Sequence, residues 1–128
     1  MHKIHMPALL RANPNYSHGI EAGPNMRFLA IAGQTGQDSD GTIPDGIDAQ
    51  ANFAWRAVVE VLKEAGMGPE HLLHYTSYLI NREDSAGYDK ARLTWLGDAR
   101  PASTKVYISG LARPQLLCEV QAFAAAPA

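Results

Sequence analysis

The sequence predicts an α+β fold: a two-layer sandwich in which about six strands form a mixed β-sheet and two helices cover one face, in the order βββαβαββ. Three observations predict it. Residues 45–65 carry apolar side chains at steps of three and four, the period of a helix with one buried face. Short apolar or alternating runs at 27–34, 71–80 and 101–125 are bounded by Gly, Pro, Asn or Asp, as strands are. The length of 128 residues suits one domain over 1–128, with a single core. Apolar residues at 46% and charged residues at 19% give the balance of a globular chain, not a disordered one.

Residues 1–26 are interrupted by Pro7, Pro14, Pro24, Gly19 and Gly23, leaving room for two short strands, near Ile4 and over Tyr16 to Ala22. His2 and His5 lack a third ligand at a supporting spacing, so no metal site is expected and the segment should fray. Arg27 to Gln34 reads as a strand whose run Phe28 to Ala32 suggests burial on both faces. The loop after it has Gly33 and Gly36 but lacks the Lys-Ser/Thr pair of a phosphate-cradling loop.

Asp45 to Ala65 is the clearest helix. Ile47, Ala51, Ala54, Val58, Val61, Leu62 and Ala65 form its apolar face and Trp55 widens it. Asp45 or Asp48 is the candidate cap, and Gly66 the stop. His71 to Ile80 follows as a strand, closed by Asn81 to Asp84. Ser85 to Leu96 makes a second helix with Tyr88, Ala91, Leu93 and Trp95 as apolar members and Asp84 as its cap. Finally, Val106 to Leu111 and Leu116 to Phe123, joined through Ala112-Arg113-Pro114, read as a hairpin.

Strand alternation puts Ser103, Lys105 and Tyr107 on one face, and Glu119 with Gln121 together on another. Glu119 interrupts an apolar run, so it is either a charge with a partner or a task, or an edge-strand side chain facing water. The lone Cys118 excludes an internal disulfide and reads as a small core residue. A net charge of −2 with no basic run argues against nucleic acid as a partner. No run of about twenty apolar residues would cross a membrane, and Met1 to Met6 lacks the apolar stretch of a secretory signal, so the expected location is cytoplasmic. Two helices cover only one face of such a sheet, and the other is too apolar for water, which implies self-association.

Pro101-Ala102, the strand from Val106 to Leu111, and the ending Cys118-Glu119-Val120-Gln121-Ala122-Phe123-Ala124 resemble the C-terminal signature of the YjgF/Rid (YjgF/YER057c/UK114) family of reactive imine deaminases. Ile31-Ala32-Gly33-Gln34 with Gly41 downstream, and Gln50 followed by a helix ending Glu64-Ala65-Gly66, agree in order and spacing. The resemblance implies a chorismate-mutase-like fold and a homotrimer with ligand clefts at subunit interfaces. It further implies hydrolysis of a small imine or enamine to a carbonyl compound and ammonia, with no cofactor and no metal.

By position, Glu119 corresponds to the family's cleft glutamate, the expected acid/base and water-orienting group. Tyr16 corresponds to a tyrosine lining that cleft, and Gly33 to a glycine whose N–H donates to the ligand. Two departures stand out: Ser103 replaces the arginine that grips a substrate carboxylate, and Ala32 replaces a frequent serine. A hydroxyl does not match a guanidinium fork on a carboxylate, so an ordinary 2-imino acid is not the expected substrate. Lys105, on the face of Ser103, either returns an ammonium to the cleft, pairs with Glu119 or is a surface lysine. The alternatives are a non-catalytic member that binds a small ligand and a deaminase of an aromatic-degradation intermediate of the aminomuconate type. Messenger cleavage has been linked to some members of the family, but the sequence offers no basic groove or His pair for it.

Overall fold

A computed structural model describes residues 2–128. Six strands and two α-helices follow one another in the predicted order: β1 (Lys3–His5), β2 (Gly19–Glu21), β3 (Met26–Gln34), α1 (Ile47–Glu64), β4 (Leu72–Leu79), α2 (Ser85–Leu96), β5 (Ala102–Tyr107) and β6 (Cys118–Pro127). The strands divide between two sheets. The main one has the order β3-β6-β4-β5, antiparallel except for the parallel pair β4-β5, and β1-β2 form a separate antiparallel ribbon. Residues 3–5 are therefore held in a strand where fraying was expected.

The predicted hairpin does not form. β5 and β6 lie on opposite sides of β4, joined by a ten-residue connection, Ile108 to Leu117, that crosses the strand end through the bonds Ile108 N–H to Leu79 O and Leu117 O from Ile80 N–H. Parallel strands joined through a helix lie side by side, so β4-α2-β5 places β5 next to β4. The alternating small and apolar residues of β6 then fill the sheet interior, where both edges of the strand are paired. Glu119 accordingly sits on an interior strand, which removes its edge-strand reading.

Both helices pack on one face of the main sheet. Ala51, Ala54, Trp55, Val58 and Leu62 of α1 meet Ile31, Tyr75, Leu79, Val120 and Ala122 in a continuous core. Trp55 stands edge-on to Tyr75 with ring centroids 4.9 Å apart. Gly46, at φ 84°, occupies the start of α1 in place of an aspartate cap, because a positive φ after Pro44 suits glycine and not Asp45. Gly66 takes the predicted left-handed conformation at the other end, at φ 69°. In α2, Asp84 precedes the first turn without making a side-chain cap bond, and Leu93 is exposed where Arg92 is buried.

Gln50 joins the core as a polar residue. Its amide donates to the Pro44 and Gln115 carbonyls, both at 3.0 Å, and its carbonyl accepts from Leu117 N–H at 2.8 Å. All three bonds end on loops, so this one side chain pins the turn before α1 to the turn before β6.

Candidate functional site

β5 runs parallel to β4 with Tyr75 opposite Ser103 and Ser77 opposite Lys105. Tyr75 and Ser77 point at the helices, so Ser103 and Lys105 do too, toward α2. Between α2 and β5 opens a cavity of about 320 Å³. Tyr16, Ser103, Lys105, Asp89 and Arg92 line it. Lys105 Nζ donates to Asp89 Oδ1 at 2.7 Å and to Ser85 Oγ at 2.8 Å. It also lies 5.7 Å from the centroid of the Tyr88 ring. Asp89 is thus the ion-pair partner of Lys105, in place of Glu119.

The rim is built by the N-terminal segment. Ser17, buried, donates through Oγ to the Arg100 carbonyl at 2.6 Å, and Arg100 Nε donates to the Pro14 carbonyl at 2.9 Å. Ser17 also forms an isolated parallel bridge to Ala102, its N–H donating to the Pro101 carbonyl, so the N-terminal segment touches the sheet edge at the start of β5. This places Tyr16 at the cavity, edge-on to His18 with ring centroids 5.5 Å apart.

Glu119 and Gly33 occupy the opposite face of the sheet. In β6, Cys118, Val120, Ala122 and Ala124 look into the helices, so Glu119, Gln121 and Phe123 look out. The Glu119 carboxylate rests against Gly33, where any Cβ would collide with it, at a break in the β3-β6 register between Ile31 and Gln34. Glu119 pairs across with Tyr78, whose hydroxyl donates to Gln121 Oε1 at 2.6 Å. Around these polar groups the face is apolar and open: Phe28 is 72% exposed, Phe123 48% and Val106 36%.

Within one chain, then, the predicted residues form two clusters. Tyr16, Ser103 and Lys105 share the cavity under α2, while Glu119 and Gly33 share the open face. Sequence reasoning missed Asp89 and Arg92. A signal existed for Arg92, which follows the core residue Tyr88 by four positions and so shares its side of the helix.

Two titrating groups show the contrast in environment. Cys118 is fully buried in the core, and burial first, then the nearby negative charges of Asp84 and Glu119, push its thiol up to about 12, which disfavours the thiolate. Partial burial lowers the pKa of His74, on the open face. His5 pairs with Glu21 at 2.7 Å, and His2 Nε2 lies 3.1 Å from the His71 carbonyl oxygen. Among the described residues no three His, Cys, Asp or Glu side chains converge as metal ligands.

A mixed sheet backed by two helices, with a polar cavity at its parallel edge and a glutamate on its bare face, defines a small α+β protein of the YjgF type. The family model described as endoribonuclease L-PSP matches residues 6–126, and the chain belongs to that family, the YjgF/UK114 or Rid family. A RutC family protein from Pyrococcus horikoshii is 30% identical over 115 residues, 85% of each chain. The crystal structure of YyfB from Yersinia pestis, a Rid family protein of unknown function, superposes with a TM-score of 0.85 at 25% identity, covering 96% of this chain and 97% of that one. Rv2704 from Mycobacterium tuberculosis, a YjgF/YER057c/UK114 family member, superposes with a TM-score of 0.67 at 26% identity over 85% of each chain.

Proposed function

We propose that this protein hydrolyses a small reactive imine or enamine to a carbonyl compound and ammonia, in clefts between the subunits of a cytoplasmic homotrimer. The observation that carries the reading is Glu119, a carboxylate seated against Gly33 on an uncovered sheet face that also exposes Phe28 and Phe123. A second copy packed on that face would shield Glu119 from water and let it meet the Tyr16, Ser103 and Lys105 cluster of a neighbour. Family membership supports a small-molecule role of this kind.

The chemistry asks little of the protein. An enamine first takes a proton on carbon and becomes the iminium ion, the protonated imine. Water then adds to the imine carbon as Glu119 accepts its proton. The carbinolamine nitrogen takes that proton back, and as the C–N bond breaks the hydroxyl gives its own proton to Glu119, so that ammonia leaves and the carbonyl forms. Proton transfers suffice, so the reading needs no metal or organic cofactor. Gly33 N–H and the Tyr16 hydroxyl supply neutral donors to the bound substrate. With Ser103 at the strand position, a 2-imino acid gripped there by a guanidinium is not the substrate.

The family description names a ribonuclease, but a net charge of −2 supports a small molecule over a polyanion. A second reading, a ligand-binding protein without turnover, is favoured by Ser103 alone. Ammonia release from imines and enamines generated in situ decides between them. Wild type is expected to accelerate release, and Glu119→Gln to lose about a hundredfold or more of that acceleration. Wild type that accelerates none of the set would leave the binding protein.

A further inference from the structure

One guanidinium in the cavity is only partly used by the chain itself. Arg92 is only 6% exposed, on the inward side of α2 with Tyr88 and Leu96. Its Nη1 donates to the Asn15 carbonyl at 3.2 Å and to the Tyr75 hydroxyl at 3.0 Å. Its Nε is buried and has no hydrogen-bond partner among the described residues. The nearest carboxylate oxygen, Asp89 Oδ1, stands 3.8 Å from Nε, too far for a hydrogen bond, and is already taken by Lys105 Nζ at 2.7 Å.

A guanidinium carries five donors and cannot shed its charge. Burying it without a full complement of acceptors is unfavourable. In this cavity two cations, Arg92 and Lys105, share one carboxylate, and the rest of the wall is uncharged, made of hydroxyl and amide side chains. The pocket therefore holds one positive charge in excess, on a guanidinium whose hydrogen bonds within the chain are incomplete.

We propose that Arg92, with Lys105 beside it, anchors the carboxylate of a small monoanionic ligand in the cavity between α2 and β5. The ligand is a carboxylate and not a phosphate, because a doubly charged group would outweigh the single excess cation and face repulsion from Asp89. A planar carboxylate also suits the fork of a guanidinium. The volume of about 320 Å³ admits a molecule of few heavy atoms. This deepens the deaminase reading and rests on it for the reaction alone: the substrate is a carboxylate-bearing imine or enamine held from helix α2 instead of from position 103.

The test is an NMR titration of the full chain with butanoate and benzoate, their neutral amides butanamide and benzamide, and inorganic phosphate, at constant ionic strength. The carboxylates are expected to bind to the cavity more tightly than the amides or phosphate. Arg92→Gln is expected to weaken the carboxylates roughly ten- to hundredfold and leave the amides unchanged. Carboxylates and amides that bind alike to wild type, carboxylates that do not bind, phosphate that binds more tightly, or a folded Arg92→Gln that binds carboxylates as wild type does, each overturns the anchor. Should Arg92→Gln fail to fold, Asp89→Asn decides. Removing the competing carboxylate must tighten carboxylate binding by about threefold or more, and an unchanged or weakened affinity overturns the proposal. Carboxylate binding without ammonia release would sink the reaction and keep the anchor. Release only from carboxylate-free imines, with no carboxylate binding, would do the reverse.

Discussion

The two faces of β6 carry opposite instructions in alternate residues. Cys118, Val120, Ala122 and Ala124 are fully buried against the helices. Glu119 and Gln121 stay partly exposed on the other side, and Phe123 stands almost half exposed. The first set is packed by the chain itself. The second combines aromatic side chains with a carboxylate, a mixture that gains little from water and much from another protein surface. The contrast teaches where stability and function are each encoded: truncation should unfold the chain from one face and, in the proposed homotrimer, only disassemble it from the other.

The largest expected effect sits on the helix-covered side. Trp55→Ala should lose about 3–5 kcal/mol in urea unfolding, because a fully buried indole leaves a cavity that the Tyr75 and Tyr88 rings cannot close. Phe28→Ala, on the open face, should change the unfolding of dilute monomer by less than about 0.5 kcal/mol. Comparable losses at the two positions would erase the distinction.

Next in size is assembly. The pair Phe28→Asp and Phe123→Asp places charges at two exposed aromatic positions of the open face, and should raise the subunit dissociation constant at least about tenfold. Analytical ultracentrifugation reads the mass, and far-UV circular dichroism should stay that of the wild type. An unaltered mass would move the association surface away from this face.

The smallest effects are in pH, and they differ in sign of approach. Cys118, raised to about 12, contributes stability that is complete below the ordinary thiol pKa near 9 and is lost as pH climbs from there toward 12. His74, lowered by burial, contributes stability that is present above 6.5 and is lost as pH falls through its folded value. Urea midpoints measured across both ranges should show the alkaline loss flattened in Cys118→Ala and the acid loss flattened in His74→Gln. An unchanged alkaline slope in Cys118→Ala would place that thiol outside the core.

Much of this plan was legible in the residues. The period of 45–65 located α1 to within two residues at each end, and Ser85 to Leu96 was found at its exact bounds because its flanks carry turn residues. Alternation put Glu119 and Gln121 on one face, as they are in β6. Pairing partners were not legible: periodicity says which way a side chain points but not which strand lies alongside, so β5 and β6 were joined to each other and not separated by β4. The helix start failed for a related reason. An aspartate looks like a cap wherever it stands, and only the backbone at Gly46 shows that the cap needed a positive φ. At the candidate site, Tyr16, Gly33, Ser103, Lys105 and Glu119 came from motif positions, whereas Arg92 and Asp89 lie on α2 outside any motif, where only the apolar members mark a side of the helix.

The cavity rim joins Ser17 to the Arg100 carbonyl and Arg100 to the Pro14 carbonyl, contacts 83 and 86 residues apart in the chain. Closing loops of that length is slow compared with forming helices or the contacts between neighbouring strands. The pocket is therefore among the last features to assemble. During synthesis it stays open until the segment beyond Arg100 has emerged, so a nascent chain acquires its helices well before it acquires a place for a ligand.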